Sequence, residues 1–167
     1  MPMKLLSANH GAALAATLAG RANRAGRGFC SGVYPITPST ECMEYLCLQD
    51  IEKGRVIKVE SEHSAMAVCI GAAAAGACTF TATASNGLVY MAENCIAASY
   101  LRLPVVLAVA NRTIGPPWNI WADHGDAMLL RDHGLIQFYC ADNQELFDTT
   151  LCAFRLAEDA EVMLPVM

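Results

Sequence analysis

Two acidic residues, Glu60 and Glu62, stand in the run Lys58-Val59-Glu60-Ser61-Glu62-His63-Ser64-Ala65, just ahead of an apolar, alanine-rich stretch. Charge in apolar surroundings is costly unless it has a partner or a use. Glu62 is placed to open a helix, where its side chain can face a cleft. A carboxylate half-sunk in an apolar crevice can hold a proton near neutral pH or share one with a ring nitrogen. A plain helix start accounts for the same residue, because the macrodipole favours acidic side chains in the first turn. Both readings stand on this segment alone.

Three further polar groupings have chemical potential: Tyr34-Pro35-Ile36-Thr37-Pro38-Ser39-Thr40, Thr83-Ala84-Ser85-Asn86-Gly87 and Asn111-Arg112-Thr113. Each alone has a bland explanation: a stiff proline turn, a helix cap, a surface charge. Their placement gives them weight. The residue pattern predicts strands at 28–34, 55–59, 78–82, 104–110, 136–140 and 162–166. Helices are predicted from Ser7 to about Arg24, from Ser39 and Thr40 to about Gln49, and over 62–75, 86–101, 127–133 and 144–158. Strands alternating with helices, without hairpin signals, predict an α/β fold. Its core is a three-layer parallel sheet with helices on both faces. In such sheets ligands bind beyond the carboxyl ends of the strands. All four polar groupings fall there.

Composition narrows the classes. The 167 residues are enough for one domain with a sizeable core. They are 54% hydrophobic and 16% charged, so other protein is expected to cover much of the surface. The net charge of −5 and the absence of a basic run argue against nucleic acid or an anionic membrane as partner. The apolar stretch at 65–80 is too short to span a bilayer. Eight cysteines fall mostly inside apolar periodic segments without a Cys-x-x-Cys pair, which fits buried thiols in a cytoplasmic protein. Their spacing suits neither zinc nor an iron–sulfur cluster.

The motifs at 34–40, 59–65, 80–88 and 111–126, with Asn-Gln-Glu-Leu-Phe-Asp at 143–148, give the chain a family likeness. It resembles the N-terminal, pyrimidine-binding domain of the α subunit of 2-oxoacid:ferredoxin oxidoreductases, most of all the pyruvate type. The likeness runs through residues 1–167, in order and without large gaps. It implies a single thiamine-diphosphate-binding domain that is part of a larger subunit or complex. The implied activity is oxidative decarboxylation of a 2-oxoacid to acyl-coenzyme A and carbon dioxide, with electrons passed to iron–sulfur clusters and ferredoxin.

The resemblance also assigns roles. Glu62 matches the glutamate that hydrogen-bonds N1′ of the aminopyrimidine ring. Pro35 and Ile36 match a turn lying against that ring, and Asn86 matches a cofactor-binding position that is commonly Gln in relatives. Thr37 and Arg112 match substrate-holding positions. A guanidinium suits a carboxylate because its fork donates two parallel hydrogen bonds.

Thiamine enzymes hold the diphosphate through Mg²⁺ with a Gly-Asp-Gly motif. Here the nearest run is Gly125-Asp126-Ala127, without the second glycine. Partner subunits are therefore expected to supply the diphosphate site, Mg²⁺ and the iron–sulfur clusters, with coenzyme A and the 2-oxoacid as small-molecule partners. Ile114-Gly115-Pro116-Pro117 departs from the Ser-Ala-Pro segment frequent in relatives, on what the resemblance implies is the substrate side. Aromatic, branched or other 2-oxoacids thus stand beside pyruvate, and a noncatalytic assembly domain is the alternative outside the enzyme class. His63, His124, Trp118 and Trp121 are expected to order structure or contacts rather than to react.

Overall fold

A computed structural model describes residues 3–23 and 26–167. The expected helix end at Arg24 lies outside the described residues. Helix α1 (Ala8–Ala22) starts where the Ser7 side chain accepts from the His10 amide. It is followed by β1 (Phe29–Val33), α2 (Thr40–Cys47), β2 (Gly54–Lys58), α3 (Glu62–Ala74) and β3 (Cys78–Thr83). Then come α4 (Ser85–Tyr90), α5 (Ala92–Tyr100), β4 (Val105–Val109), α6 (Gly125–Met128) and α7 (Asn143–Ala157).

The strands form one parallel sheet in the order β2-β1-β3-β4. Strand β3 is buried at every position because it runs through the middle of the three layers. Its alternate residues serve opposite faces. Cys78, Phe80 and Ala82 join α1, α2 and α7 in one core, around Met43, Leu46 and Phe154. The second core packs α3 and α5 over the other face, around Met66, Leu88, Met91, Val105 and Leu107. This is the expected three-layer α/β architecture.

Two predicted strands are corrected. Segments 136–140 and 162–166 contribute single parallel bridges, Val106 to Val166 and Ile136 to Val166, rather than strands. The amides of Val162 and Met163 both bond back to the Asp159 carbonyl, and Met163 has φ +44. That turn leaves Val166 too short a run for Ile136 to extend along, and Pro165 has no amide to give. The predicted helix over 86–101 is divided at Met91, which ends α4 and begins α5. The predicted helix over 127–133 starts earlier, at Gly125, and after Met128 gives way to tighter i→i−3 turns at Leu130, Arg131 and His133.

The helix carrying Glu62 is defined at both ends. Ser61 caps it by accepting from the Ser64 amide, and the Ser64 hydroxyl bonds Glu60 Oε1 at 2.6 Å. At the far end Gly76, with φ +89, takes the left-handed conformation that closes a Schellman motif. The Gly76 and Ala77 amides satisfy the Ala73 and Ala72 carbonyls there. Gly32 lets this helix lie directly on β1, since a Cβ there would collide with the Ala65 backbone.

Candidate functional site

The carboxyl ends of four parallel strands bring the candidate residues to one rim. Val33 of β1 leads into the turn carrying Pro35, Ile36 and Thr37, and Lys58 of β2 leads to Glu62. Thr83 of β3 leads to Asn86, and Val109 of β4 leads to Arg112. Pro35 and Thr37 are exposed there and Ile36 is half-buried.

Glu62 is only 8% exposed. Glu60 faces solvent and is held below the usual carboxylate range by the hydroxyl of Ser64. Glu62, by contrast, makes no side-chain hydrogen bond with the described residues and sits against the start of α4. Its Oε1 and Cγ border the Cα of Gly87, and so does the hydroxyl of Thr83. Three threonines line this face of β3. Thr79 donates to the Pro104 carbonyl and Thr81 to the Gly32 carbonyl. Thr83, beside Glu62, is fully buried and its hydroxyl has no partner.

Arg112 is 9% exposed. Its Nη1 donates to the backbone oxygen of Thr37 at 2.6 Å, not to the threonine hydroxyl. Its Nε is buried without a partner, and the guanidinium forms no ion pair among the described residues. Arg112 is therefore not the surface charge that its sequence setting also allowed.

Asp126 plays a different part, one that sequence reasoning missed. It is fully buried. Its Oδ2 accepts from the backbone amides of Ser85 (2.9 Å) and Arg112 (3.2 Å). Its Oδ1 accepts from the Asn111 side chain (2.7 Å) and its neighbour's amide at Ala127 (2.8 Å). One carboxylate thus ties the end of β3 to the end of β4. Its charge is offset by four donors rather than by a cation. Ser85, held in this way with φ +48, sends its hydroxyl to the Thr113 carbonyl at 2.7 Å.

Asn86 spends its amide on the proline-rich loop. Its Oδ1 accepts from Gly115 N at 3.0 Å and its Nδ2 donates to Gly115 O at 3.2 Å. The loop is closed by the amide and hydroxyl of Thr113, both donating to the Trp121 carbonyl, and presents Trp118, Ile120 and Trp121 to solvent. His63 lies 3.9 Å from Glu93 and its ring packs on Tyr90. His124 packs edge-on against Tyr139 at the mouth of a cavity of about 450 Å³ under α7. That cavity meets the rim at Val109, Asn111 and Ala127, and its Gln137 and Tyr139 are hydrogen-bonded to their own surroundings.

A carboxylate without a partner, beside a cradle that a Cβ would fill, fits the polar edge of a flat heterocycle. A buried, unpaired guanidinium on the same rim fits a small organic anion. Among the described residues no group of three or more His, Cys, Asp or Glu is arranged to hold a metal ion.

Against known proteins, the family described as pyruvate flavodoxin/ferredoxin oxidoreductase, thiamine diphosphate-binding, matches residues 22–167. The chain belongs to this family. The oxidoreductase relatives are close. Pyruvate synthase subunit PorA of Methanocaldococcus jannaschii is 54% identical over 138 residues, covering 80% of this chain and 35% of that subunit. The PorA subunit of Pyrococcus furiosus is 45% identical over the whole of this chain and 41% of its own length. Ketoisovalerate oxidoreductase subunit VorA of the same organism is 44% identical over 95% of this chain and 39% of its own. The chain thus spans well under half the length of these relatives. The fold is also that of a 2-oxoglutarate:ferredoxin oxidoreductase from Magnetococcus marinus, with a TM-score of 0.78 at 24% identity. That match covers 96% of this chain and 28% of the other.

Proposed function

We propose that this chain is the pyrimidine-binding part of a thiamine-diphosphate-dependent 2-oxoacid:ferredoxin oxidoreductase, with pyruvate as the substrate. The observation that carries the reading is Arg112. A guanidinium 9% exposed, with a buried orphan Nε and no carboxylate partner, is a destabilising arrangement in the bare chain. A buried charge needs a counter-charge, and a planar fork matches a carboxylate best. The carboxylate of a 2-oxoacid supplies it. Thr37 completes the grip from the neighbouring turn, its carbonyl already fixing one arm of the fork.

When bound, thiamine diphosphate supplies a carbon nucleophile for the 2-oxo carbon and an electron sink for loss of the carboxyl group. Glu62 would hold N1′ of the aminopyrimidine ring from the first turn of α3, beside the start of α4. Pro35 and Ile36 would lie against that ring, and Asn86 would hold the proline-rich loop beside it through its two bonds to Gly115. Arg112 and Thr37 orient the substrate carboxylate. The net reaction converts pyruvate and coenzyme A to acetyl-coenzyme A, carbon dioxide, a proton and two electrons.

Partner chains carry the diphosphate and Mg²⁺ half-site, the iron–sulfur clusters and the exit to ferredoxin. The exposed apolar groups Tyr90, Trp118, Ile120 and Trp121 near the site fit burial against such partners. The buried free thiols fit a reducing, cytoplasmic setting. Pyruvate synthase subunits among the relatives favour pyruvate, while a ketoisovalerate relative of nearly equal identity makes a branched 2-oxoacid the second reading. The unpaired Arg112 favours an enzyme over a noncatalytic assembly domain.

The test is reduction of a low-potential dye by the purified complex containing this chain. Thiamine diphosphate and coenzyme A are supplied, and pyruvate, 2-oxoisovalerate and 2-oxoglutarate are compared. The highest kcat/KM is expected with pyruvate. Reduction by none of the three would remove the reading.

A further inference from the structure

Building on the reading of Glu62 above, we propose that Gly87 is a positioning residue for the Glu62 carboxylate. The space left by its missing side chain is where that carboxylate sits. A Cβ at position 87 would lie 2.5 Å from Thr83 Oγ1, 2.8 Å from Glu62 Oε1 and 2.9 Å from Glu62 Cγ. All three are well inside ordinary contact.

Nothing else at this position calls for glycine. Gly87 is within α4, where glycine is the poorest helix former after proline. Its φ is not among the positive ones, so the backbone does not require it. What the bare Cα provides is room, and the room is filled by the two side chains of interest.

The atoms that would be struck decide what a substitution does. At Gly32 a Cβ would meet the backbone of Ala65, which cannot step aside. At Gly87 it meets the end of a flexible glutamate and a threonine hydroxyl. Both must give: the threonine hydroxyl, with no hydrogen bond to lose, by turning about χ1, and the glutamate by swinging its longer chain. Gly87→Ala therefore turns the Glu62 carboxylate away from its place, and circular dichroism with the unfolding midpoint of the variant separates that loss of aim from a loss of structure. Gly71, in the same helix as Glu62, has nothing within 4 Å of its would-be Cβ and is the matched control.

The experiment uses the assembled oxidoreductase and reads cofactor affinity rather than turnover. Calorimetry compares thiamine diphosphate with an analogue in which carbon replaces N1′, a pair differing in the atom Glu62 is read to contact. The parent complex should prefer the natural cofactor by roughly ten- to a hundredfold, the usual worth of one hydrogen bond to a charged group. Gly87→Ala and Glu62→Ala should each bring that ratio close to one, and Gly71→Ala should leave it unchanged. A ratio that collapses in Glu62→Ala but survives in Gly87→Ala overturns the role of Gly87 while sparing that of Glu62. A ratio that survives in Glu62→Ala overturns the Glu62 reading and the Gly87 inference with it. Collapse in Gly71→Ala as well overturns the role of Gly87, because added bulk anywhere would then suffice.

Discussion

The guanidinium of Arg112 reaches across 75 residues of chain to the carbonyl oxygen of Thr37, at 2.6 Å. This bond joins the end of β4 to the turn after β1, although β3 lies between those strands in the sheet. It uses one nitrogen of the fork and leaves Nε buried with nothing to donate to.

Replacing Arg112 by Lys keeps the charge and loses the planar fork. In the assembled enzyme, KM for the 2-oxoacid should rise or kcat/KM fall by roughly ten- to a hundredfold, the equivalent of about 1.5–3 kcal/mol. Cofactor affinity should change little. Steady-state kinetics with cofactor titration checks both, and Arg112→Ala with KM and kcat/KM unchanged for every tested 2-oxoacid would refute the substrate role.

Glu62→Gln removes the proton-holding group while keeping its volume. Exchange of the C2 proton of bound thiamine diphosphate, followed by NMR, should slow by about 10²–10⁴-fold, the usual range for a positioned acid–base group. Circular dichroism should show an unaltered fold. Exchange at the parent rate would refute the assignment.

Asp126→Ala leaves the amides of Ser85 and Arg112 without an acceptor inside the protein. Each buried unsatisfied group costs about 1–3 kcal/mol. The unfolding midpoint of the complex should fall, and substrate affinity with it, because the Arg112 backbone is no longer held. Asp126→Asn should fall in the same direction, since its amide nitrogen would face two N–H donors. Denaturant titration and KM measurement on the same samples test the pairing of the two effects.

Much of the site was legible because its residues are local signals. Glu62 and Arg112 are charges set directly beside apolar strands, and the 34–40 turn is written in prolines. The sheet was legible because its strands are short β-branched or apolar runs that alternate with helical periodicity, even at β2, whose Val56 and Ile57 stand between Arg55 and Lys58. Asp126 was not legible as a brace. Its acceptors serve amides 41 and 14 residues away, and nothing in Gly-Asp-Ala announces that. Asn86 was read toward a cofactor, yet its amide binds Gly115, a partner set by the loop's path rather than by local sequence. The segments at 136–140 and 162–166 had strand composition, but pairing length is decided by the partner, and a turn at Met163 shortens it.

The thiols give a pH prediction. Burial pushes Cys42, Cys69 and Cys95 up to about 12 from a usual value of 9.0. A raised folded value means the native state keeps its proton where the unfolded state has lost it. The stability this contributes is full below about pH 9, declines as pH rises, and is lost through about pH 12. Denaturant midpoints should therefore decrease above pH 9. At pH 8, mass spectrometry after brief iodoacetamide treatment should find these three cysteines unmodified, with labelling confined to the accessible thiols. Rapid native labelling of Cys69 would contradict its burial.

The amides of Ser85, Arg112 and Ala127 all end on the single side chain of Asp126. Three stretches far apart in sequence thereby share one latch. Their release to solvent is coupled, because a swing of the one Asp126 side chain frees all three. In deuterium exchange the three should show one common protection, and they should lose it together when the rim opens.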